Sequence, residues 1–163
     1  MAEIKVGARL PDGNLLTFGD SGIGVVEIAK EIKGRKVVIF GVPGAYTPTC
    51  TSSHVPSFMR TASQFREKGV DEIICVAVND PFVMKAWGEA TGGVAAGLTF
   101  LADPEGAFTK AIGLDFTAPP LGLINRSKRY ALYAEDGVVK VLNIEDDPTQ
   151  CSVSAGETLL KQI

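Results

Sequence analysis

A chain of 163 residues with 45% hydrophobic content is long enough to bury one sizeable core, so a single domain spanning 1–163 is expected. The 16 basic residues nearly balance the 19 acidic ones, and no basic cluster exceeds Arg126, Lys128 and Arg129, which argues against nucleic acid as a partner. No apolar run approaches the ~20 residues of a membrane span, and Met1 to Arg9 lack the basic-then-apolar pattern of a signal peptide, so a cytoplasmic protein is expected, with an organellar mature form left open.

Apolar stretches alternate with Pro- and Gly-punctuated ones along the chain, without a repeat or low-complexity tract. Val37 to Val42 is a short, β-branched, nearly continuous apolar run, the pattern of a strand covered on both faces. Thr47-Pro48 then marks a helix start, with a capping side chain before a proline at the first helical position. Ile73 to Val78 repeats the buried-strand pattern, and Asp80-Pro81 repeats the helix start. Leu98 to Ala102 is a weaker strand, followed by the same signal at Asp103-Pro104. Arg129 to Ala134 and Val138 to Ile144 flank Asp136-Gly137, a dipeptide that favours a tight hairpin. Ser154, with Glu157 three residues on, matches a capping box and opens a last helix through Leu160. The class is α/β with a central mixed β-sheet flanked by helices, an order that the thioredoxin-like fold accommodates but that does not single it out.

Three cysteines, Cys50, Cys75 and Cys151, are odd in number and far apart, which does not resemble a disulfide framework. With one histidine, His54, and no CxxC, the spacing does not suit zinc. Gly92-Gly93 and Gly97 form no GxGxxG or P-loop pattern, so neither a metal nor a cofactor is expected. Cys50 stands out because it falls in the first turn of the helix opened by Thr47-Pro48. Unpaired backbone N–H groups and the positive end of the helix dipole favour a thiolate there, and the same amides can receive the oxygens of a peroxide. Free cysteines are more often packed and inert than reactive, so position alone does not decide the matter.

The flanking residues decide it. Pro43, Thr47 and Cys50 form PxxxTxxC, and the run Gly41-Val-Pro-Gly-Ala-Tyr-Thr-Pro-Thr-Cys50 resembles the signature of peroxiredoxins, in particular the type II or type 5, atypical two-cysteine, subgroup. Ile4 to Gly7, Val78 to Val83 with Trp87, Leu101 to Pro104 and Asp136 to Asn143 extend the resemblance over nearly the whole chain. It implies a thioredoxin-like fold and an antioxidant thiol peroxidase. In such an enzyme Cys50 reduces hydrogen peroxide or alkyl hydroperoxides and becomes a sulfenic acid. Thr47 would hydrogen-bond peroxide and thiolate, Pro43 would shield Cys50 from water, and Arg129 would be the site arginine, although by itself it reads as a solvated charge at a strand end. The resemblance further implies a homodimer, with thioredoxin or glutaredoxin and glutathione as reductant.

The sulfenic acid must be captured by a second thiol before more peroxide drives it to sulfinic acid. Cys75 lies in a core strand, whereas Cys151 follows the polar, turn-rich Asp146 to Gln150 and is the preferred resolving residue, with Cys75 as the alternative. Family precedent is divided between the two positions, and direct reduction by an external thiol is the remaining route. Two other functions compete: a redox sensor oxidised once per chain, and a Cys/His hydrolase using His54, four residues after Cys50. No third group is evident to orient such an imidazole, so His54 is read as a supporting or exposed residue.

Overall fold

The computed structural model describes residues 2–163 and opens with two strands that the hydrophobic pattern does not announce. β1 (Asn14–Gly19) and β2 (Gly22–Glu27) pair as an antiparallel hairpin at one edge of the sheet. Glycines at 19, 22 and 24 dilute the alternation, so it shows in burial along β2 but not in its sequence. A short helix, α1 (Ile28–Ile32), leads into β3 (Lys36–Val42), where every residue after Lys36 is buried. β4 (Glu72–Ala77) and β5 (Thr99–Ala102) lie parallel to β3 at the sheet centre. Near-continuous apolar runs are what such doubly covered strands require.

β6 (Asp115–Ala118) and β7 (Leu123–Ser127) form a separate two-stranded ribbon. β8 (Tyr130–Glu135) and β9 (Val138–Ile144) are the expected hairpin, and β8 runs antiparallel to β3. Asp136 and Gly137 both take positive φ, 48° and 78°, at its turn. The seven-stranded sheet has the order β2-β1-β5-β4-β3-β8-β9, a mixed sheet of thioredoxin-like type.

Side-chain alternation along β3 builds two cores. Val38, Phe40 and Val42 face one way, against Phe58 and Phe65 of α2 (Val55–Glu67), Trp87 of α3 (Pro81–Ala90) and Leu159 of α5 (Gly156–Leu160). Val37 and Ile39 face the other, against Ile28 and Ile32 of α1 and Phe108 of α4 (Ala107–Ala111). At ~25 cal/mol per Å2 of apolar surface, these two layers dominate the stability of the sheet that carries the site.

Of the expected helix starts, only Asp80-Pro81 caps as read, its carboxylate accepting the Val83 N–H at 2.8 Å. The Asp103 helix begins three residues late, because Pro104 and Glu105 form a turn and Gly106 takes φ 70°. Asp103 still caps α4 from outside, accepting from Phe108 and Thr109 N–H at 3.3 and 2.8 Å. The capping box at Ser154 does not form: Glu145 captures the Ser154 hydroxyl, and α5 starts at Gly156.

Candidate active site

β3 delivers the chain through a bend at Pro43 into a turn at Ala45 and Tyr46, where Tyr46 takes a φ of 63°, a costly conformation for a residue with a large side chain. Two side chains hold that turn. Asn79 accepts the Ala45 N–H at 2.9 Å, and Arg126 donates to the Pro43 carbonyl at 3.2 Å. A Cβ on Gly44 would meet the Arg126 guanidinium at 2.5 Å, so glycine permits the approach. Helix begins at Pro48 as expected, but residues Cys50–His54 form a wider π-helical turn before α2. Such turns are uncommon and often sit at functional sites. The Trp87 indole N–H bonds the Thr51 hydroxyl at 3.1 Å, pinning this turn to α3.

Arg129 reaches the same point from the start of β8. Gly41 stands opposite Tyr130 in the β3–β8 register, and a Cβ there would overlap the Tyr130 ring. With that space open, β8 packs against the core and Arg129 is carried inward to 1% exposure. Its guanidinium donates from Nη2 to Cys50 Sγ at 3.1 Å, from Nη1 to His54 Nδ1 at 3.0 Å and from Nε to the Pro148 carbonyl at 3.0 Å. Of these partners only the sulfur can carry a negative charge, so it is the one contact able to offer this buried cation a counter-charge.

His54 is fully buried, tilted against the stacked Phe40 and Phe58 rings. Because guanidinium only donates, His54 Nδ1 must accept, which leaves Nε2–H to donate to the Ser154 carbonyl at 3.0 Å. Burial, aided by the Arg129 charge, pushes the imidazole down to about 3, so it is neutral at working pH. With both ring nitrogens engaged, no lone pair is free to take a proton from Cys50, and the Cys/His hydrolase reading fails on this geometry. Nor is His54 exposed: it supports Arg129.

A cleft of about 330 Å3 is walled by Pro43, Thr47, Leu121, Pro148, Thr149 and Arg129, the residue that bonds the Cys50 sulfur. Thr47 does not cap the helix. Its hydroxyl donates to the Gly44 carbonyl at 2.7 Å, so towards the cleft it offers lone pairs rather than a proton. Cys50 itself is fully buried beneath this wall.

Cys75 and Cys151 are both free, like Cys50. Cys75 sits in β4, within the same buried cluster as Cys50, and burial pushes its thiol up well above the ordinary range. Cys151 is half-buried in a segment held at several points: Thr49 donates to the Thr149 carbonyl at 2.9 Å, and Glu145 accepts from the Ser152 and Ser154 N–H groups at 2.8 Å each. Asn79, Arg126 and Glu145 were not singled out from sequence as site residues. Arg126 left a trace there as part of the basic cluster with Arg129, and Asn79 as part of the Val78 to Val83 stretch. Among the described residues, no group of three or more His, Cys, Asp or Glu is placed to hold a metal ion.

A mixed sheet feeding a cysteine into a helix start beneath a buried arginine describes a thioredoxin-like, thiol-based oxidoreductase. Comparisons with known proteins narrow that class. The Redoxin family model matches residues 5–160. "Peroxiredoxin-2C" of Oryza sativa subsp. japonica is 46% identical, with both chains covered completely. "Peroxiredoxin-2E-2, chloroplastic" of the same plant is 47% identical over 98% of this chain and 72% of its own length. Reduced Prx3 of Vibrio vulnificus, in a crystal structure with hydrogen peroxide, superposes with a TM-score of 0.91 at 42% identity, covering 98% of each chain. The chain belongs to the peroxiredoxins and is a thiol-dependent peroxidase.

Proposed function

We propose that Cys50 is the peroxidatic nucleophile and that Arg129, Thr47 and Pro43 set up its attack, within one domain spanning 1–163. The observation that carries this reading is the 3.1 Å hydrogen bond to Cys50 Sγ from buried Arg129, which also lines the cleft. The thiolate attacks one peroxide oxygen, the O–O bond breaks, and the bonding pair leaves on the other oxygen. That oxygen takes a proton to become water or an alcohol, and Cys50 becomes a sulfenic acid, oxidised by two electrons. Arg129 stabilises charge as it moves from sulfur to the leaving oxygen, at the stage where fixed donors matter most. Thr47 accepts the peroxide O–H and so orients the incoming molecule. Pro43 keeps water from Cys50, and the apolar walls of the cleft at Leu121 and Pro148 take the organic part of an alkyl hydroperoxide.

Cys151 resolves the sulfenic acid: its sulfur bonds to Cys50 Sγ, the S–O bond breaks, and water leaves with the thiol proton. Cys75 is the alternative, disfavoured by its place in a central strand. Thioredoxin or glutaredoxin with glutathione then returns the disulfide to two thiols. A homodimer belongs to the same proposal, as does a cytoplasmic location. Relatives include forms named chloroplastic and mitochondrial, so fractionation rather than fold assigns the compartment.

Intact-mass analysis after one equivalent of hydrogen peroxide, with peptide mapping, tests the cycle. Cys50→Ser should lose peroxidase turnover, and the parent should lose two hydrogens in a disulfide joining Cys50 and Cys151. Full turnover in Cys50→Ser would end the reading. A disulfide to Cys75 would move the resolving role there.

A further inference from the structure

The segment that carries Cys151 meets Arg129 directly at the Pro148 carbonyl and is fastened to it a second time, by way of His54, through one buried carboxylate. Glu145, 6% exposed, follows β9 directly, and its N–H donates to the Arg129 carbonyl at 2.9 Å. Oε2 accepts three hydrogen bonds: Ser152 N–H and Ser154 N–H at 2.8 Å, and the Ser154 hydroxyl at 2.7 Å. These bonds fix the Ser154 carbonyl, which accepts a hydrogen bond from His54 Nε2–H, and His54 Nδ1 in turn orients Arg129. Ser152 and Ser154 also bracket Cys151 closely on its C-terminal side, so the same carboxylate restrains the half-buried thiol.

We propose that Glu145 is a positioning residue that serves the two chemical steps in opposite directions. While bonded to Ser152 and Ser154 it holds His54 and Arg129 aligned for peroxide attack, and it must release them for Cys151 to reach Cys50. The second half rests on Cys151 as the resolving residue; the first half does not. Burial pushes the Cys151 thiol up in the closed arrangement, which agrees with a resolving thiol that becomes reactive only when the segment opens. The strength of the Glu145 bonds then sets how long the sulfenic acid waits, and hence how much is lost to sulfinic acid.

The test uses the full chain with Glu145→Ala and the milder Glu145→Gln, which keeps an acceptor oxygen without the charge and decides the matter if the alanine variant does not fold. In a Cys151→Ser background, single-turnover oxidation of Cys50 by hydrogen peroxide should slow roughly tenfold in Glu145→Ala and less in Glu145→Gln, the scale of one charge-assisted hydrogen bond. With Cys151 present, quenched mass analysis should show disulfide forming faster from the sulfenic acid, with less sulfinic acid. His54 is the sole histidine, so its 15N imidazole signals report the relay directly: Nε2–H in the parent, a tautomer mixture in the variants. An unchanged peroxide step with a parent-like imidazole, or both steps slowed alike, would overturn the proposal. Absence of a Cys50–Cys151 disulfide in the parent removes the resolving role of Cys151, and with it the release half; the Cys151→Ser arm then decides the alignment half alone.

Discussion

His54 accepts a 3.0 Å hydrogen bond from Arg129, and the cation is thereby supported by a neutral ring rather than by a carboxylate. A carboxylate in that place would compete with the Cys50 sulfur for the guanidinium charge. An imidazole supplies geometry without charge, leaving the sulfur as the one partner of the guanidinium able to carry a counter-charge. Buried Arg129 therefore depends on its planar fork, with three nitrogens aimed at three different acceptors.

Arg129→Lys should accordingly behave as a loss rather than a conservative change. An ammonium is a point charge on a flexible stem and cannot serve sulfur, imidazole and carbonyl at once. The second-order rate constant for peroxide, measured by stopped flow, should fall on the order of a hundredfold, the scale of losing one preorganised transition-state donor. A rate near the parent value would mean that charge alone suffices.

The depressed His54 fixes a pH dependence of stability. In the unfolded chain a histidine titrates near 6.5, whereas the folded site holds His54 down to about 3, through burial first and the Arg129 charge second. The unfolded state thus binds the proton more readily, so this contribution is intact above about pH 6.5 and is lost as the pH falls towards 3. By pH 5 the loss is about 2 kcal/mol. Urea midpoints between pH 7 and 5 should show it, and His54→Asn should flatten that part of the profile even if the variant is less stable throughout. An unaltered slope would mean that His54 is protonated in the fold.

Thr47 separates shape from chemistry. Thr47→Ser keeps the hydroxyl that donates to Gly44 and should retain peroxide reduction within a few-fold, whereas Thr47→Val is isosteric and lacks the acceptor. The valine variant should slow peroxide attack by roughly ten- to a hundredfold, with sulfenic acid still formed on Cys50. Equal rates in serine and valine variants would remove Thr47 from substrate binding.

The parts of this molecule that were legible in sequence are those whose signal is local. Val37 to Val42 and Ile73 to Val78 read as doubly buried strands because each is apolar on both faces, and Asp80 reads as a cap because the N–H it accepts from is three residues away. Cys50 in the first turn followed from Thr47-Pro48, although Thr47 does not cap and the π-helical widening through His54 did not show. What failed to show depends on partners far along the chain. Arg129 is buried only because Gly41 makes room for Tyr130 across a strand pair, and on composition it is an ordinary surface charge. Ser154 carries a capping-box pattern that Glu145 overrides from nine residues upstream. Resemblance to a family supplied Arg129, because a long motif encodes tertiary context that spacing cannot. It gave no role to Glu145, nor to Asn79, which it included only as part of the Val78 to Val83 stretch.

The choice of substitution at Cys75 matters for assigning the resolving thiol. Its side chain is fully buried in β4, opposite Phe40 of β3 and Phe100 of β5, and burial holds the thiol neutral. Serine at this position places a hydroxyl among apolar neighbours and should cost roughly 1–3 kcal/mol if it finds no acceptor. Alanine leaves only a small void, costing about 1 kcal/mol. Cys75→Ala should therefore show the higher urea midpoint of the two, and it is the fairer probe of chemistry. If Cys151 resolves, Cys75→Ala should form its Cys50 disulfide at the parent rate, because Cys75 takes no part and the sheet is little disturbed. Slowing confined to Cys75→Ser would report lost stability. Loss of the disulfide in Cys75→Ala would instead mean that β4 opens during turnover, so that a thiol from the middle of the sheet reaches Cys50.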